Sequence, residues 1–286
     1  MFVIIGMIVV IVCVVGGFLM HEGPLAVLFQ PNEILIIVGA ALGSVLVATP
    51  FPRIKRIISG LTGVIKGDQY SRKEYLNLLK TMFELFNNAK INGLVSIEPH
   101  IEKPEGSAIM QKNPFLSKNH RALAFFCDSI RLLLTGGVPP HDLEALLDSD
   151  IETHHADSSG LTGIVQKTAD SLPGLGIVAA VLGIIITMGK INGPPEEIGF
   201  SVAAALVGTF MGILICYGFI GPLATHMEHL AAAEAHFLEC VKAGVVAFAK
   251  GSPPVLVVEF ARRVIVDDVR PSFAEVEAAV KEVKSQ

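Results

Sequence analysis

Tryptophan is absent from this 286-residue chain and only three tyrosines are present, so any aromatic belt at a membrane surface must rest largely on phenylalanine. The four cysteines, Cys13, Cys127, Cys216 and Cys240, are scattered and form no Cys-x-x-Cys pair. That excludes a disulfide framework or a cysteine zinc site, and leaves small apolar core residues as the plain reading. No phosphate-binding glycine loop, Walker pattern or Ser/Cys/His nucleophile motif is present, so an enzyme is not expected. A net charge of -5 gives no sign of a nucleic-acid partner. There is no β-rich or Rossmann-like pattern and no internal repeat. The most consequential lack lies within the long apolar runs. They hold no ionisable residue in their interiors; Glu33 and Asp170 sit only at their edges, where they can attract cations to a mouth. Proton relays and ion sites in a bilayer normally need such a residue. On its own, therefore, the chain makes a poor proton pathway, and a partner must supply the carboxylate if ions move here.

What is present is apolar surface in four blocks. The mean hydropathy is +0.59, and 51% of residues are hydrophobic against 17% charged. Runs at 2–20, 33–51, 172–189 and 199–223 are each about long enough to cross the ~30 Å hydrocarbon core of a bilayer. The expected fold is an all-α integral membrane protein with four transmembrane helices and a large helical cytoplasmic domain. No Lys or Arg precedes the first run, so it reads as a retained span rather than a cleaved signal peptide. Of the 22 basic residues, 14 lie between Arg53 and Lys167 and seven follow the fourth run, leaving only Lys190 between the third and fourth. Basic flanks stay inside. Both termini and the 52–168 insertion are thus expected in the cytoplasm, with two short external loops.

The insertion reads helical. Ser71 and Glu74 have capping-box spacing, and Tyr75, Leu78, Leu79, Met82, Phe83 and Phe86 recur at three and four residues behind them. Asn92-Gly93 is a stop signal. Helical periodicity resumes over 119–135, ends at Gly136-Gly137, and restarts after Pro139-Pro140. That next helix carries Asp142, Glu144, Asp148, Asp150 and Glu152 on an acidic face and runs towards the third span, with slack expected at 157–160. Beyond Leu223 the chain stays helical until Ser252-Pro-Pro254. His226 and His229, with His236 beyond, have ligand-like spacing but suit the polar face of a helix leaving the membrane better than a metal site.

The stretch 169–223 organises the rest. Two apolar runs flank a short Gly/Pro/Glu loop. Small residues recur at four-residue spacing, Gly176/Ala180 in one and Ala204/Gly208/Gly212 in the other, which lets helix backbones approach closely in lipid. Thr187, Thr209 and Tyr217 are its polar groups; a lone intramembrane Thr usually bonds its own helix's carbonyl. Pro173 and Pro222 mark the two inner ends, as simple punctuation or as paired hinges.

These residues resemble a known family. DSLPGLGIVAAVLGIIITMG followed by VGTFMGILICYGFIGPLA is similar to MotA, the larger subunit of the bacterial flagellar stator. The likeness extends over IEKPEGSAI, LEALLDSDIETH, ECVK, EFARR and RPSF, nearly the whole chain. It implies a stator subunit of the bacterial inner membrane that forms a ring, five copies around a dimer of single-span MotB, and drives the rotor protein FliG. H⁺ would be the coupling ion, with no cofactor and no metal. The implied organisation is a peripheral membrane hairpin at 1–51, a cytoplasmic helical domain at 52–168, a pore-lining hairpin at 169–223 and a cytoplasmic helical tail at 224–286. Pro173 and Pro222 match the family's two functional prolines, and Thr209 its pore-facing Thr. Ala180 falls where sodium-driven relatives such as PomA carry Thr; a methyl group cannot ligate Na⁺, so a proton-driven type is expected. Lys90 and Glu98 fall at the family's torque-generating basic and acidic pair, with Asp150 and Glu152 as further members of that surface. An ExbB/TolQ-like energiser of outer-membrane processes is the alternative; the two extra N-terminal spans weigh against it. A passive membrane scaffold and a lone-chain transporter are the remaining classes.

Overall fold

The structure is a computed structural model that describes residues 2–66 and 70–284. Residues 1, 285 and 286, at the outer limits of the first and last expected domains, and 67–69 within the second lie outside the described residues. Of the described residues 87% are helical, and none is in a strand. In order, the longer helices are α1 (Phe2–Met20), α2 (Pro31–Ala48), α3 (Phe51–Lys66), α4 (Arg72–Asn92), α5 (His120–Thr135), α6 (Pro140–Met188), α7 (Pro195–Ile215), α8 (Gly221–Ala249), α9 (Pro254–Arg263) and α10 (Phe273–Lys284). Four helical stretches are long and apolar enough to cross a membrane: α1, the segment ending with α2, the outer part of α6, and α7. This is a multi-pass, all-α membrane protein.

Contacts divide the chain into two compact units. The first comprises Met1–Gly67 with Ser158–Leu230 and the second Asp68–Asp157 with Ala231–Gln286.

In the membrane unit, α1 is apolar on every side and buries none of its residues against the rest of the chain. A helix of that kind is made for lipid or for neighbouring helices. α2 differs. Its buried residues are Glu33, Ile37 and Ala41, a stripe at four-residue spacing. Ile37 and Ala41 pack with Ala169, Leu172, Ala179 and Cys216. The second apolar run ends three residues earlier than expected. Thr49-Pro50 breaks it, and Phe51-Pro52 opens α3, a helix the apolar-run reading did not separate. Pro fits there because the first-turn N–H groups have no helical partner anyway. α3 buries Ile57 and Val64 against Leu161, Val165, Ala224 and Met227.

The second unit is built around α4. Tyr75, Leu78, Leu79, Met82, Phe83 and Phe86, the face expected from periodicity, are all buried. Leu143, Leu147 and Ile151 of α6, Phe126 of α5, Phe237 and Val241 of α8 and Val257 of α9 complete that core. The Phe86 ring stacks on Phe248 at 4.3 Å, a geometry that adds to plain burial. The capping box expected at Ser71 is not made: Ser71 is the N-cap, but its side chain caps nothing. A reciprocal capping box forms instead at α10, where the Ser272 N–H donates to Glu275 Oε2 at 2.6 Å and the Glu275 N–H to Ser272 Oγ at 3.2 Å. No break occurs at 157–160 either. α6 runs unbroken for 49 residues, with Pro173 inside it.

Candidate functional site

The outer part of α6 and α7 meet along a seam of small residues, which is why their backbones come so close. A Cβ on Gly212 would lie 2.5 Å from the Leu172 carbonyl oxygen and 3.0 Å from Gly176 Cα. One on Gly176 would lie 2.8 Å from the Gly208 carbonyl oxygen. Further along, Gly208 faces Ala179 and Ala180, and Gly183 faces Ala205. Only small side chains permit such contact, and in lipid the packing itself must supply the association energy.

The expected ion-path residues both belong to this seam region. Ala180 is buried against the Gly208 backbone. Thr209, the next residue along α7, is half-exposed, and among the described residues its hydroxyl has no hydrogen-bond partner. Thr187 behaves in the ordinary way, its hydroxyl donating to the Gly183 carbonyl oxygen at 2.8 Å. Of these two threonines, only Thr187 is satisfied by its own helix.

Pro173 lies one residue from the closest approach of the two helices. Lacking an N–H, it leaves the Ala169 carbonyl without its partner in the helical ladder. On the other helix, the ladder changes register just before Pro222. Cys216–Ile220 forms a π-helical turn between α7 and α8, closed by the Gly221 N–H donating to the Cys216 carbonyl oxygen. Such turns insert one extra residue into a helix and often mark functional positions. Each end of the hairpin away from its connecting loop therefore carries a proline and a locally altered hydrogen-bond ladder.

Sequence reasoning missed one residue here. Glu33 stands at the start of the second span, as expected, but it is not free there. It lies in the first turn of α2 and is buried, 8% exposed. Its Oε2 lies 2.8 Å from where a Cβ on Gly208 would be. The second span thus brings a carboxyl from its first turn against the α6–α7 seam, a contact that an edge position did not reveal. The readable signal was position: Glu33 occupies the same helical stripe as Ile37 and Ala41, four and eight residues on.

The second candidate surface is in the other unit. α4 ends at Asn92, Gly93 turns with φ 88°, and a short helical turn, Leu94–Ile97, leads to Glu98. A positive φ of that size suits glycine alone without strain. The Ser96 hydroxyl donates to the Gly93 carbonyl oxygen at 2.7 Å and pins the corner. Lys90 and Glu98 flank it, both exposed, with no ion-pair partner among the described residues. Between them, Ile91 and Val95 are 71% and 74% exposed. A corner with two opposite charges around two bare aliphatic side chains is suited to a protein partner.

The acidic face of α6 is less free than its sequence suggests. Glu144 pairs with Lys250 at 2.8 Å, Asp148 with Lys242, and Asp150 with Arg121 at 3.3 Å. Asp150 is thus engaged within its own unit. Glu152 is exposed and lines a shallow groove with Asp148, His155, His236 and Glu239. Three of the sequence motifs also hold this unit together. In EFARR, Glu259 accepts from Arg262 at 2.7 Å and from Arg263 at 2.8 Å, and hydrogen bonds from these arginines hold its carboxyl down at about 2. RPSF supplies the α10 capping box. In ECVK, Lys242 bridges Glu239 and Asp148, and the Cys240 thiol donates to the Ala261 carbonyl oxygen at 3.3 Å. Burial pushes that thiol well above the ordinary cysteine range.

Comparison with known proteins agrees along the whole chain. The family model for Motility protein A N-terminal matches residues 4–93, and that for the MotA/TolQ/ExbB proton channel family matches 113–239. Motility protein A of Escherichia coli (strain K12) is 36% identical over 285 residues, covering 100% of this chain and 97% of that protein. Chemotaxis protein LafT of Vibrio parahaemolyticus is 38% identical over 96% of each chain. Among solved structures, C. jejuni MotAB superposes with a TM-score of 0.78 at 18% identity, covering 95% of this chain and 98% of that one. The flagellar MotAB stator complex from Bacillus subtilis gives 0.70 at 22% identity, over 90% and 92%. These structural likenesses concern the fold.

Proposed function

Because the chain belongs to the Motility protein A family of MotA/TolQ/ExbB proton channels, we propose that it is a flagellar motor stator subunit which converts ion flow into torque. The observation that carries this reading is the α6–α7 seam. It is closely packed, α6 from Leu172 to Met188 and α7 beyond its first turn bring no ionisable residue to it, and Thr209 is left without a partner at its side. In this reading the wall is completed by another chain. A MotB-like single-span subunit, the partner named with the MotAB relatives, brings a carboxylate against Thr209 and Ala180. Protonation of that carboxylate removes a charge from a low-dielectric site, where charge is costly. Its fit against the wall then changes, and Pro173 and Pro222 are where the hairpin yields. Five copies around a partner dimer form the ring in this reading. The membrane is the bacterial cytoplasmic membrane, with both termini inside by the distribution of basic residues. This chemistry is transport and motion, with no catalytic constellation required. The two N-terminal spans and the end-to-end match to Motility protein A favour this over an ExbB/TolQ-like energiser.

Cells depending on this chain and its partner are expected to stop rotating when a protonophore collapses the proton gradient, and to keep swimming when Na⁺ is replaced by K⁺. Tracking of swimming speed reads both. A sodium requirement would overturn the proton assignment drawn from Ala180. Rotation that outlasts the protonophore would overturn it as well.

Lys90, Glu98, Ile91 and Val95 form the rotor contact in this reading, with FliG as the partner. Exchanging the charges together, Lys90→Glu with Glu98→Lys, is expected to cut swimming speed severalfold while membrane levels stay normal. Exposed charges such as these contribute little to folding, so the loss is one of contact. Unchanged torque would remove the pair from the rotor surface. Asp150, tied to Arg121, and Glu152 are assigned smaller shares.

A further inference from the structure

Glu33 is built into the seam rather than resting beside it. Its Oε2 fills the space left by Gly208, and its Oε1 lies 3.5 Å from the position a Cβ on Gly183 would take. Gly183 in turn packs on Ala205, and Gly208 on Ala179 and Ala180. One glycine from each of the two helices therefore forms a cradle that a methyl group would fill and a carboxyl occupies. Oε2 is buried and has no hydrogen-bond partner.

Nor does a charge face it. α2 carries no other titratable group, and α6 carries none between Leu172 and Met188. α7 has only Glu196 and Glu197, exposed in its first turn; Lys190 in the preceding loop and His21 and Glu22 after α1 are exposed as well. An anion in this cradle would have nothing to offset its desolvation, so the cradle suits the neutral acid. A neutral carboxylic acid holds one transferable proton.

We propose that Glu33 is a proton-holding positioning residue of the ion-conducting wall. Its carboxylate takes one proton from hydronium at the outer side: one O–H bond of H₃O⁺ breaks, leaving water, and the O–H bond of the neutral acid forms. Return of that proton to a water molecule places a bare charge against Gly208, which presses on the backbone beside Thr209 and Ala180. The occupancy of Glu33 thereby sets how closely the two helices approach at the ion path. The proposal rests on the reading of 169–223 as the wall of that path.

Infrared titration tests it on the full chain, co-purified with its single-span partner and returned to lipid vesicles. The wild-type minus Glu33→Gln difference is expected to show a protonated-carboxyl stretch at neutral pH that is lost as pH rises. Gln has the shape of the acid and cannot ionise, so assembly with the partner should be preserved. In cells, Glu33→Gln is expected to flatten the dependence of rotation speed on external pH, and Glu33→Ala, which empties the cradle, to lower speed at every pH. A difference spectrum without a titrating carboxyl band overturns the proposal. So does a Glu33→Gln motor with the wild-type pH profile, which would make the carboxyl a packing group only. A wild-type chain that restores no rotation with its partner would instead overturn the stator reading, and the infrared band would still report on Glu33.

Discussion

A chain carrying Gly212→Val is expected to reach the membrane without a properly paired third and fourth span, and to restore no rotation. The reason is geometric. At Gly212 the first carbon of any side chain meets backbone, the Leu172 carbonyl oxygen at 2.5 Å and Gly176 Cα at 3.0 Å. Side chains can swing aside, but these atoms belong to a helix that would have to move as a whole. Overpacking in an adaptable core costs about 1–3 kcal/mol, and this site has less to adapt with. Lipid also gives no hydrophobic reward for forcing the helices together. Gly199→Ala is the control, since nothing lies within 4 Å of its Cβ position. Cysteine cross-linking across the seam and membrane abundance measure the effect. A Gly212→Val chain with normal cross-linking and normal swimming would refute the close contact.

Pro173→Ala is expected to act in the opposite sense on stability while abolishing rotation. Ala would supply the N–H that Pro173 lacks, giving the Ala169 carbonyl its partner. A helical hydrogen bond of this kind contributes about 1 kcal/mol. The variant should assemble with its partner in normal amount, and its α6 should be at least as resistant to local opening. The rotation rate should nevertheless fall to near zero. The restored bond stiffens α6 one turn from where Leu172 touches Gly212, which is where the hairpin must yield. Hydrogen exchange on the assembled complex, together with tethered-cell rotation, separates the two effects. Full motility would reduce Pro173 to punctuation, and loss of assembly would make its role structural.

Much of this was legible before any coordinates, and for identifiable reasons. Apolar length and the placement of basic residues are coarse signals, so four spans and a helical insertion could be read directly. The buried face of α4 followed from three- and four-residue spacing because its core contacts, from Tyr75 to Phe86, repeat without interruption. What failed was local. Ser71 and Glu74 have the capping-box letters but not the hydrogen bonds, whereas Ser272 and Glu275 have both. Spacing specifies what is possible, and the path of the chain into the helix decides which bonds close. Asp157-Ser-Ser-Gly160 looked like slack, yet neighbouring packing at Leu161 and Val165 keeps the helix intact. Glu33 was hidden for a different reason. Hydropathy averages over a window, and one acid at the end of a run is absorbed into a boundary. Only its position relative to Gly183 and Gly208, on two helices far along the chain, shows that it is inside.

The π-helical turn at Cys216–Ile220 has a bearing on how this segment can change over generations. One surplus residue advances every later position by about 100° around the helix axis. Side chains there are replaceable so long as they are apolar and of suitable size. The count of residues is not, because a deletion would turn Ala224 and Met227 away from Ile57, Val64, Leu161 and Val165, which they now meet. Natural variation between α7 and α8 should therefore consist of substitutions and almost never of gaps.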